Sequence, residues 1–396
     1  MKNNKQFENG QSGMFTLKNL AAAVVLSSVA GTASAEIVIG ETETTTLSMY
    51  GIVDIGLIYQ SEVSVGGEEK FDVHTSGIAP TILGFKGTRE MSGSTSAFFN
   101  LEAHFDLDTG RIHGSGEDET VTNGTDIDVF FRRQANLGLT GDWGTLIAGR
   151  QYTPAILAHL GTEVRGFKEN FSNTYAWAFS SLSNGAFGAD FKVNRNDIGF
   201  FVANSVQYRN SFDGFEYGIL YGVGGQEGTS NGDFVSLGVS YTEGPLILAA
   251  SYQTASDDTT GEDVINHWSV GTAYDFGDIT LKANYLAIEN NDKDDGSKLL
   301  DLASTSVGID WRWAHKNSAT VAYYHNEDKL SGETNTLVLS NDYKMDDQTT
   351  LYAQMAYADA DDTLTTLGSW GTTVATAATP IGEKTTTLNV GVNFTF

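Results

Sequence analysis

Three features of this 396-residue chain carry side chains whose types and spacing suggest chemistry. The first is "NNDKDDG", residues 290–296, which looks like the start of a calcium loop. Taking Gly296 as the sixth position puts Asn291 first, Lys293 third and Leu302 twelfth. A lysine and a leucine then stand where oxygen ligands are required, so the stretch is not an EF-hand. The second feature is His159 with Glu163, four residues on. That spacing serves a metal only on a helix and with a third ligand, and the seven histidines show no HExxH. The third is the abundance of Ser, His and Asp, in which no G-x-S-x-G is read, so hydrolase chemistry has no support. Cys is absent, so there are no disulfides, thiolate metal sites or cysteine nucleophiles. The expectation is no enzyme and no cofactor.

What remains is electrostatic. Fifty acidic residues against 23 basic ones give a formal charge of −27. Nucleic acid requires a basic patch and is excluded as a partner; small cations, or divalent ions bridging to other anions, are favoured. The charges also follow a pattern. In "TSAFFNLEAHFDL", Phe99, Leu101, Ala103, Phe105 and Leu107 share one parity, and Asn100, Glu102, His104 and Asp106 the other. In "STSVGIDWRW", Val307, Ile309, Trp311 and Trp313 oppose Ser306, Gly308, Asp310 and Arg312. A period of two places successive side chains on opposite faces of a strand.

About sixteen such segments follow one another, near 46–59, 80–90, 95–107, 128–140, 144–150, 197–210, 214–223, 232–242, 245–256, 264–276, 278–289, 301–313, 318–327, 334–345, 348–358 and 385–396. Tight connections such as "TGDWG" (140–144) alternate with long polar ones such as 108–127 and 359–383. All four prolines fall at segment edges or in loops, where a missing N–H costs no ladder bond. The longest connection runs from Gln151 to about Asn196 and is rich in aromatics: Phe167, Phe171, Tyr175, Trp177, Phe179 and Phe187. A connection of that length is usually functional or disordered, and its aromatics imply that it packs against something.

The first residues read as a processing signal. "LAAAVVLSSVA" (20–30) follows Lys18 and leads to "ASA" (33–35), the small-x-small pattern cut by signal peptidase. Residues 1–35 are expected to be removed, and a start at Met14 would itself give a complete leader. Lys2, Lys5 and Lys18 against Glu8 give this segment +2, leaving −29 on a single domain, 36–396.

Many alternating strands fit a soluble sandwich or a barrel. Glu102, Asp106, Asp310 and Arg312 would be costly in a sandwich core and cost little beside a water-filled lumen. Segments of about 9–14 residues approach the ~9–11 that a tilted strand needs to cross a bilayer. The expectation is an all-β fold: a transmembrane antiparallel β-barrel of about 16 strands, in the outer membrane of a Gram-negative bacterium. The terminal "LNVGVNFTF" is its closing strand, pairing near "LSMYGIVDIGLIY" so that no edge remains. Leu388, Val390, Val392, Phe394 and Phe396 then face lipid or a subunit interface, with Phe396 in the aromatic girdle.

Six stretches carry a resemblance: "SMYGIVDIGLIY" (48–59), "LGFKGTREM" (83–91), "FNLEAHFDLDTG" (99–110), "FRRQANLGLTGDWGTLIAGRQYTP" (131–154), "NSVQYRNSFDGFEYGILYG" (204–222) and "GVNFTF" (391–396). In this order they resemble the general diffusion porins of Gram-negative bacteria. The resemblance implies a homotrimer and a long third loop folded into the lumen. It implies acids on that loop facing a basic cluster on the wall: here Glu163, Glu169 and Asp190 against Lys86, Arg132, Arg133 and Arg195. Where some relatives carry an Arg before "FKG", this chain has Ile82. Arg132 and Arg133, as strand neighbours, must point to opposite faces; alternation puts Arg132 in the lumen and the family pattern favours Arg133, so both stand. Arg165 and Lys168 lie beside the loop acids. The second loop implies a latch to a neighbouring subunit, with Glu117 or Glu119 reaching an Arg such as Arg150. The terminal Phe396 is what the barrel-assembly machinery reads in this family.

The function expected is passive diffusion of small hydrophilic solutes and ions, with cation preference from acidic loops such as "GEDE" (116–119) and "DDTTGED" (257–263). Outer-membrane lipid and lipopolysaccharide, bridged by divalent cations, are expected partners. The alternatives are an oligosaccharide-specific porin, with the long loop's aromatics as a slide, and a surface adhesin or structural barrel acting through its loops.

Overall fold

The computed structural model describes residues 36–62, 67–112, 130–172, 200–224, 229–257, 259–292, 295–330, 332–360 and 384–396. Eighteen strands form one antiparallel sheet: β1 (Ile37–Glu41), β2 (Thr45–Gln60), β3 (Lys70–Thr75), β4 (Ile82–Glu90), β5 (Ser96–His104), β6 (Gln134–Gly141), β7 (Gly144–Tyr152), β8 (Phe201–Phe212) and β9 (Phe215–Gly222), then β10 (Phe234–Glu243), β11 (Leu246–Ser256), β12 (Asp263–Asp275), β13 (Ile279–Asn291), β14 (Lys298–Ala314), β15 (Asn317–Asp328), β16 (Gly332–Lys344), β17 (Thr349–Ala360) and β18 (Lys384–Thr395). One short helix, α1 (Pro154–His159), follows β7. The wall closes because β18 pairs with β2, from Thr387↔Gln60 to Thr395↔Ile52.

The eighteen segments make sixteen wall strands, because two strands are each built from two pieces. The lower half of β2 pairs with β4 and its upper half with β3. Between them, residues 76–81 leave the ladder, and Ser76 takes a left-handed φ of 61°. On the opposite edge of β2, β18 stops opposite Ile52 and β1 begins opposite Met49. Phe396 fills the junction: its N–H donates to the Gly51 carbonyl (3.0 Å), and its carbonyl accepts from the Gly51 N–H (2.8 Å). Alternation in the sequence shows neither β1 nor β3, because each is too short to display a period.

Burial is inverted relative to a soluble protein. The apolar parity of β14 points out, with Val307 50% and Trp311 50% exposed, while Ser304, Ser306 and Gly308 face in. Leu137, Val270, Leu281, Val321, Leu351 and Val390 repeat this around the wall. An apolar belt this continuous needs lipid, and in lipid only a closed wall satisfies every backbone group. No helix among the described residues is long and apolar enough to cross a membrane; the strands do.

Connections of two to five residues join strands at one end, and aromatics crowd them on the outer face. Phe212 stacks on Phe215 (5.4 Å between ring centroids), Phe215 meets Tyr241 (4.4 Å), Tyr274 meets Phe276 (4.6 Å) and Phe394 stacks on Phe396 (6.1 Å). This is an interfacial girdle on the short-turn side. The Phe396 ring lies against Gly51, where an added Cβ would come within 2.5 Å of its Cζ.

The Glu36 carboxylate, just before β1, meets Lys86 Nζ on β4 at 2.5 Å. Burial works to raise this carboxyl, but hydrogen bonds from Lys86 and Ser48 and the Lys86 charge outweigh it and hold the group below its usual range. The contribution to the seam is therefore present above the unfolded-chain value and lost as pH falls through the folded one. Gly51→Val should lower the temperature at which the folded barrel converts to the unfolded gel mobility, by several degrees, since overpacking costs about 1–3 kcal/mol. An unchanged transition would show that the seam tolerates the added bulk.

Candidate functional site: the lumen and its inserted loop

The long connection after β7 turns inward. Thr153 caps α1, its Oγ1 accepting from the Ile156 N–H at 3.4 Å, and Pro154 opens the first turn, where no N–H is needed. The chain then hugs the inner wall. A Cβ on Gly238 would stand 2.0 Å from the Pro154 carbonyl oxygen, one on Gly271 2.4 Å from Thr162 Oγ1, and one on Gly308 2.8 Å from Val164 Cβ. These inward glycines of β10, β12 and β14 form a track that only a bare backbone provides.

Polar contacts fix the loop along that track. The Ala155 N–H donates to Ser236 Oγ (3.3 Å), and His159 Nδ1 lies 3.0 Å from Asn284 Nδ2. Glu163 accepts from Tyr324 OH (2.8 Å) and from the N–H groups of Arg165 (2.8 Å) and Phe167 (2.7 Å). Arg165 donates to Ser340 Oγ, Gln354 Oε1 and the Asn170 carbonyl. Lys168 pairs with Asp342 at 2.6 Å. Asn170 donates through its N–H to the Gly77 carbonyl (3.1 Å) and through Nδ2 to Asn389 (3.3 Å), reaching β18 and the 76–81 segment. Apolar contacts run in parallel: Phe167 packs with Leu286, Ile288 and Leu302, and Phe171 with Tyr324 and Val338. Those two aromatics therefore fasten the loop; Tyr175, Trp177, Phe179 and Phe187 lie outside the described residues.

Several expectations need correction. Glu163 is buried and satisfied by the loop's own N–H groups and Tyr324, so it shapes the loop and lines no aqueous gap. Arg132 and Arg133 precede β6, so the opposite-face rule for strands does not apply; both are buried. Arg133 pairs with Glu102 at 2.5 Å and donates to Tyr152 OH, with its guanidinium 5.0 Å from the Phe201 ring. Arg150, expected at a subunit latch, is turned by the register shift between Gly149 and Gln151 into its own wall. There it donates to the Arg132 carbonyl and lies 5.8 Å from the Phe201 ring. Asp106 is not on the wall: β5 ends at His104, and Asp106 begins a turn closed by the Gly110 N–H on its carbonyl (2.8 Å). Arg312 sits at the short-turn rim, exposed and paired with Asp275 at 3.2 Å.

Other expected residues do face inward. Asn100 donates to Asn136 (3.1 Å), His104 lies 3.4 Å from Ser76 Oγ, and Asp310 pairs with Lys282 at 2.9 Å while accepting from Thr320 (2.6 Å). Glu169 is half-buried on the loop, and its charge acts on Arg133. Lys86, placed by its Glu36 pair, lies 5.6 Å from the Tyr50 ring. Asp190, Arg195, Glu117 and Glu119 lie outside the described residues. The chain does contain one G-x-S-x-G, residues 228–232, but Ser230 is exposed between β9 and β10 with no helix after it, unlike a nucleophile elbow.

The residue that sequence reading overlooked is Asp54. Fully buried on the inner face of β2, its carboxylate accepts from the N–H groups of Gly77 (2.8 Å), Ile78 and Ala79 (both 3.1 Å), from Tyr352 OH (2.7 Å) and from Asn393 Nδ2 (3.0 Å). It holds residues 76–81 inward, and the loop tip docks on Gly77. The available signal was a lone acid in the otherwise uncharged "YGIVDIGLIY". Arg165→Ala should loosen the loop, because it removes the guanidinium bonds to Ser340, Gln354 and the Asn170 carbonyl, each such charge-assisted bond contributing about 1.5–3 kcal/mol. The expected readout is noisier open-channel current and closure at lower voltage in a planar bilayer; a quiet channel with unchanged closure voltage would assign the loop's rigidity elsewhere.

Comparison with known proteins places this geometry. The family model of Gram-negative porins matches residues 21–363. The outer membrane porin protein 32 of Delftia acidovorans is 24% identical over 391 residues, 96% of this chain and 99% of that one. An anion-selective porin from Comamonas acidovorans superposes with a TM-score of 0.73 at 21% identity, over 89% of this chain and all of that one. The outer-membrane OmpT of Vibrio cholerae gives 0.60 at 16% identity, over 90% of this chain and all of that one. A closed sixteen-stranded wall, polar inside and apolar outside, narrowed by its own third loop, is the outer-membrane channel that this match describes: the chain belongs to the Gram-negative porin family.

Proposed function

We propose that the protein is a trimeric, general diffusion channel for small hydrophilic solutes, with a weak cation preference set at its mouths. The supporting observation is the internal pairing of the inserted loop and adjacent wall. Lys86, Arg133, Lys168 and Lys282 each meet a carboxylate within 4 Å, and Arg165 is spent on Ser340, Gln354 and Asn170. Paired groups of this kind give little net field, so selectivity falls to the surplus charge of residues 36–396, −29. The Comamonas porin is named anion-selective, and an unpaired basic lumen in this chain would give the same sign. The reading is transport without an enzyme reaction.

Other parts of the reading rest on sequence and likeness. A trimer form of Vibrio OmpT, similar at a TM-score of 0.59, supports the homotrimer. Cleavage after Ala35 would start the mature chain at Glu36, beside the seam that Phe396 closes. Phe396 as the recognition element for the assembly machinery, and acidic loops bridged to lipopolysaccharide by divalent cations, complete the proposal. Burial of Phe167 and Phe171 against the wall weighs against an aromatic sugar slide.

Reversal potentials in KCl gradients test the selectivity. The expected sign is cation preference, shrinking as salt rises, because the screening length falls from about 10 Å at 0.1 M to about 3 Å at 1 M. An anion-side reversal at low salt would overturn it. Deletion of Phe396 should lower the amount of barrel in the outer membrane while leaving inserted channels with wild-type conductance; unchanged membrane yield would remove the assembly role.

A further inference from the structure

Beneath α1, toward the short-turn end, a cavity opens between the loop and the wall. Its roof is apolar: Pro154, Leu157 and Ala158. Its floor carries Arg209 of β8, Glu216 of β9 and Ser240 of β10, all on the inner parity of their strands. Arg209 stands opposite Gly218 in the ladder and Ser211 opposite Glu216, so the two charged side chains are diagonal neighbours on one face. Long side chains at that spacing are within reach of each other, yet they form no ion pair within 4.0 Å; they interact only at longer range. Nor does the side chain of Arg209, Glu216 or Ser240 make a hydrogen bond among the described residues. The other basic groups placed by the inserted loop and its wall are each engaged, as described above. Here a cation, an anion and a hydroxyl remain available around one space.

We propose that this cavity is a subsite for small zwitterionic solutes, α-amino acids with aliphatic side chains above all. The Arg209 guanidinium would receive the carboxylate, Glu216 the ammonium group, and Leu157 and Ala158 the side chain. A simple anion entering the site meets the Glu216 charge, and a simple cation meets Arg209. A zwitterion satisfies both, and charge-assisted hydrogen bonds are roughly twice as strong as neutral ones. A concave, apolar roof over a few polar groups is the general form of a small-molecule site. The site lies past the loop, so a solute would pause there without changing the charge sign that the mouths select.

The subsite rests on the channel reading, so the experiment records KCl conductance first; a protein that forms no channel fails that reading, and the subsite with it. For conducting channels, current noise is measured with leucine, acetate or propylammonium added. Leucine is expected to add relaxation noise that saturates with concentration, and the other two little. Arg209→Ala and Glu216→Gln should each weaken the apparent affinity about tenfold or more, with KCl conductance kept, and Arg209→Lys should restore part of it. Equal noise from acetate alone would make the site a plain anion site and overturn the proposal. So would leucine noise that survives both substitutions, or no leucine noise in the wild type.

Discussion

The whole architecture answers to one constraint: in lipid, every backbone N–H and C=O must find a partner within the protein. A sheet meets it only by closing, and closure fixes two faces with opposite solvents. Apolar side chains such as Leu137, Val307 and Val390 are then driven outward, and polar ones such as Asn136, Ser306 and Asn389 inward. The usual meaning of burial is reversed, and the acidic, rather hydrophilic composition follows from where the water lies.

Closure alone would leave a wide tube. The lumen is narrowed by adding a loop and removing side chains beneath it. Gly238, Gly271 and Gly308 withdraw bulk from the wall where the loop passes, so that its backbone lies nearly flush. Glu163 and Arg165 then hold it with hydrogen bonds to fixed groups on β15, β16 and β17, while Asp54, bonded to Tyr352 of β17 and Asn393 of β18, holds the 76–81 segment on which its tip docks. In a wet but confined space such networks resist thermal motion because few water molecules can compete for each partner. Charges that could have lined the opening are used instead to fix the loop to the wall.

Most of the wall was legible in the sequence because a strand with two different solvents must alternate, and alternation survives without any alignment. The expected and observed strands agree closely from 201 to 360. Failures came where period two does not operate. The five-residue β1 and six-residue β3 are too short to show it, and Arg132 and Arg133 lie before β6, in a segment whose direction is set by the Glu102 pair. Arg150 was misplaced by a bulge, which moves one residue without leaving a mark on the residue pattern. Loop acids were harder still. Glu163 has the composition of a pore-lining group, and only its three-dimensional partners show that it caps the loop's own N–H groups.

The meeting of β18 and β1 along one edge of β2 has a consequence for the chain as a topological object. With Thr395 opposite Ile52 and Ile37 opposite Met49, the described chain's two ends occupy neighbouring places in a single wall strand. Along that edge β18 and β1 make up one wall strand, with Phe396 bonded to Gly51 where they meet. Circular order and linear order are nearly the same for this fold, and a chain cut at another short turn and joined here would trace the same wall.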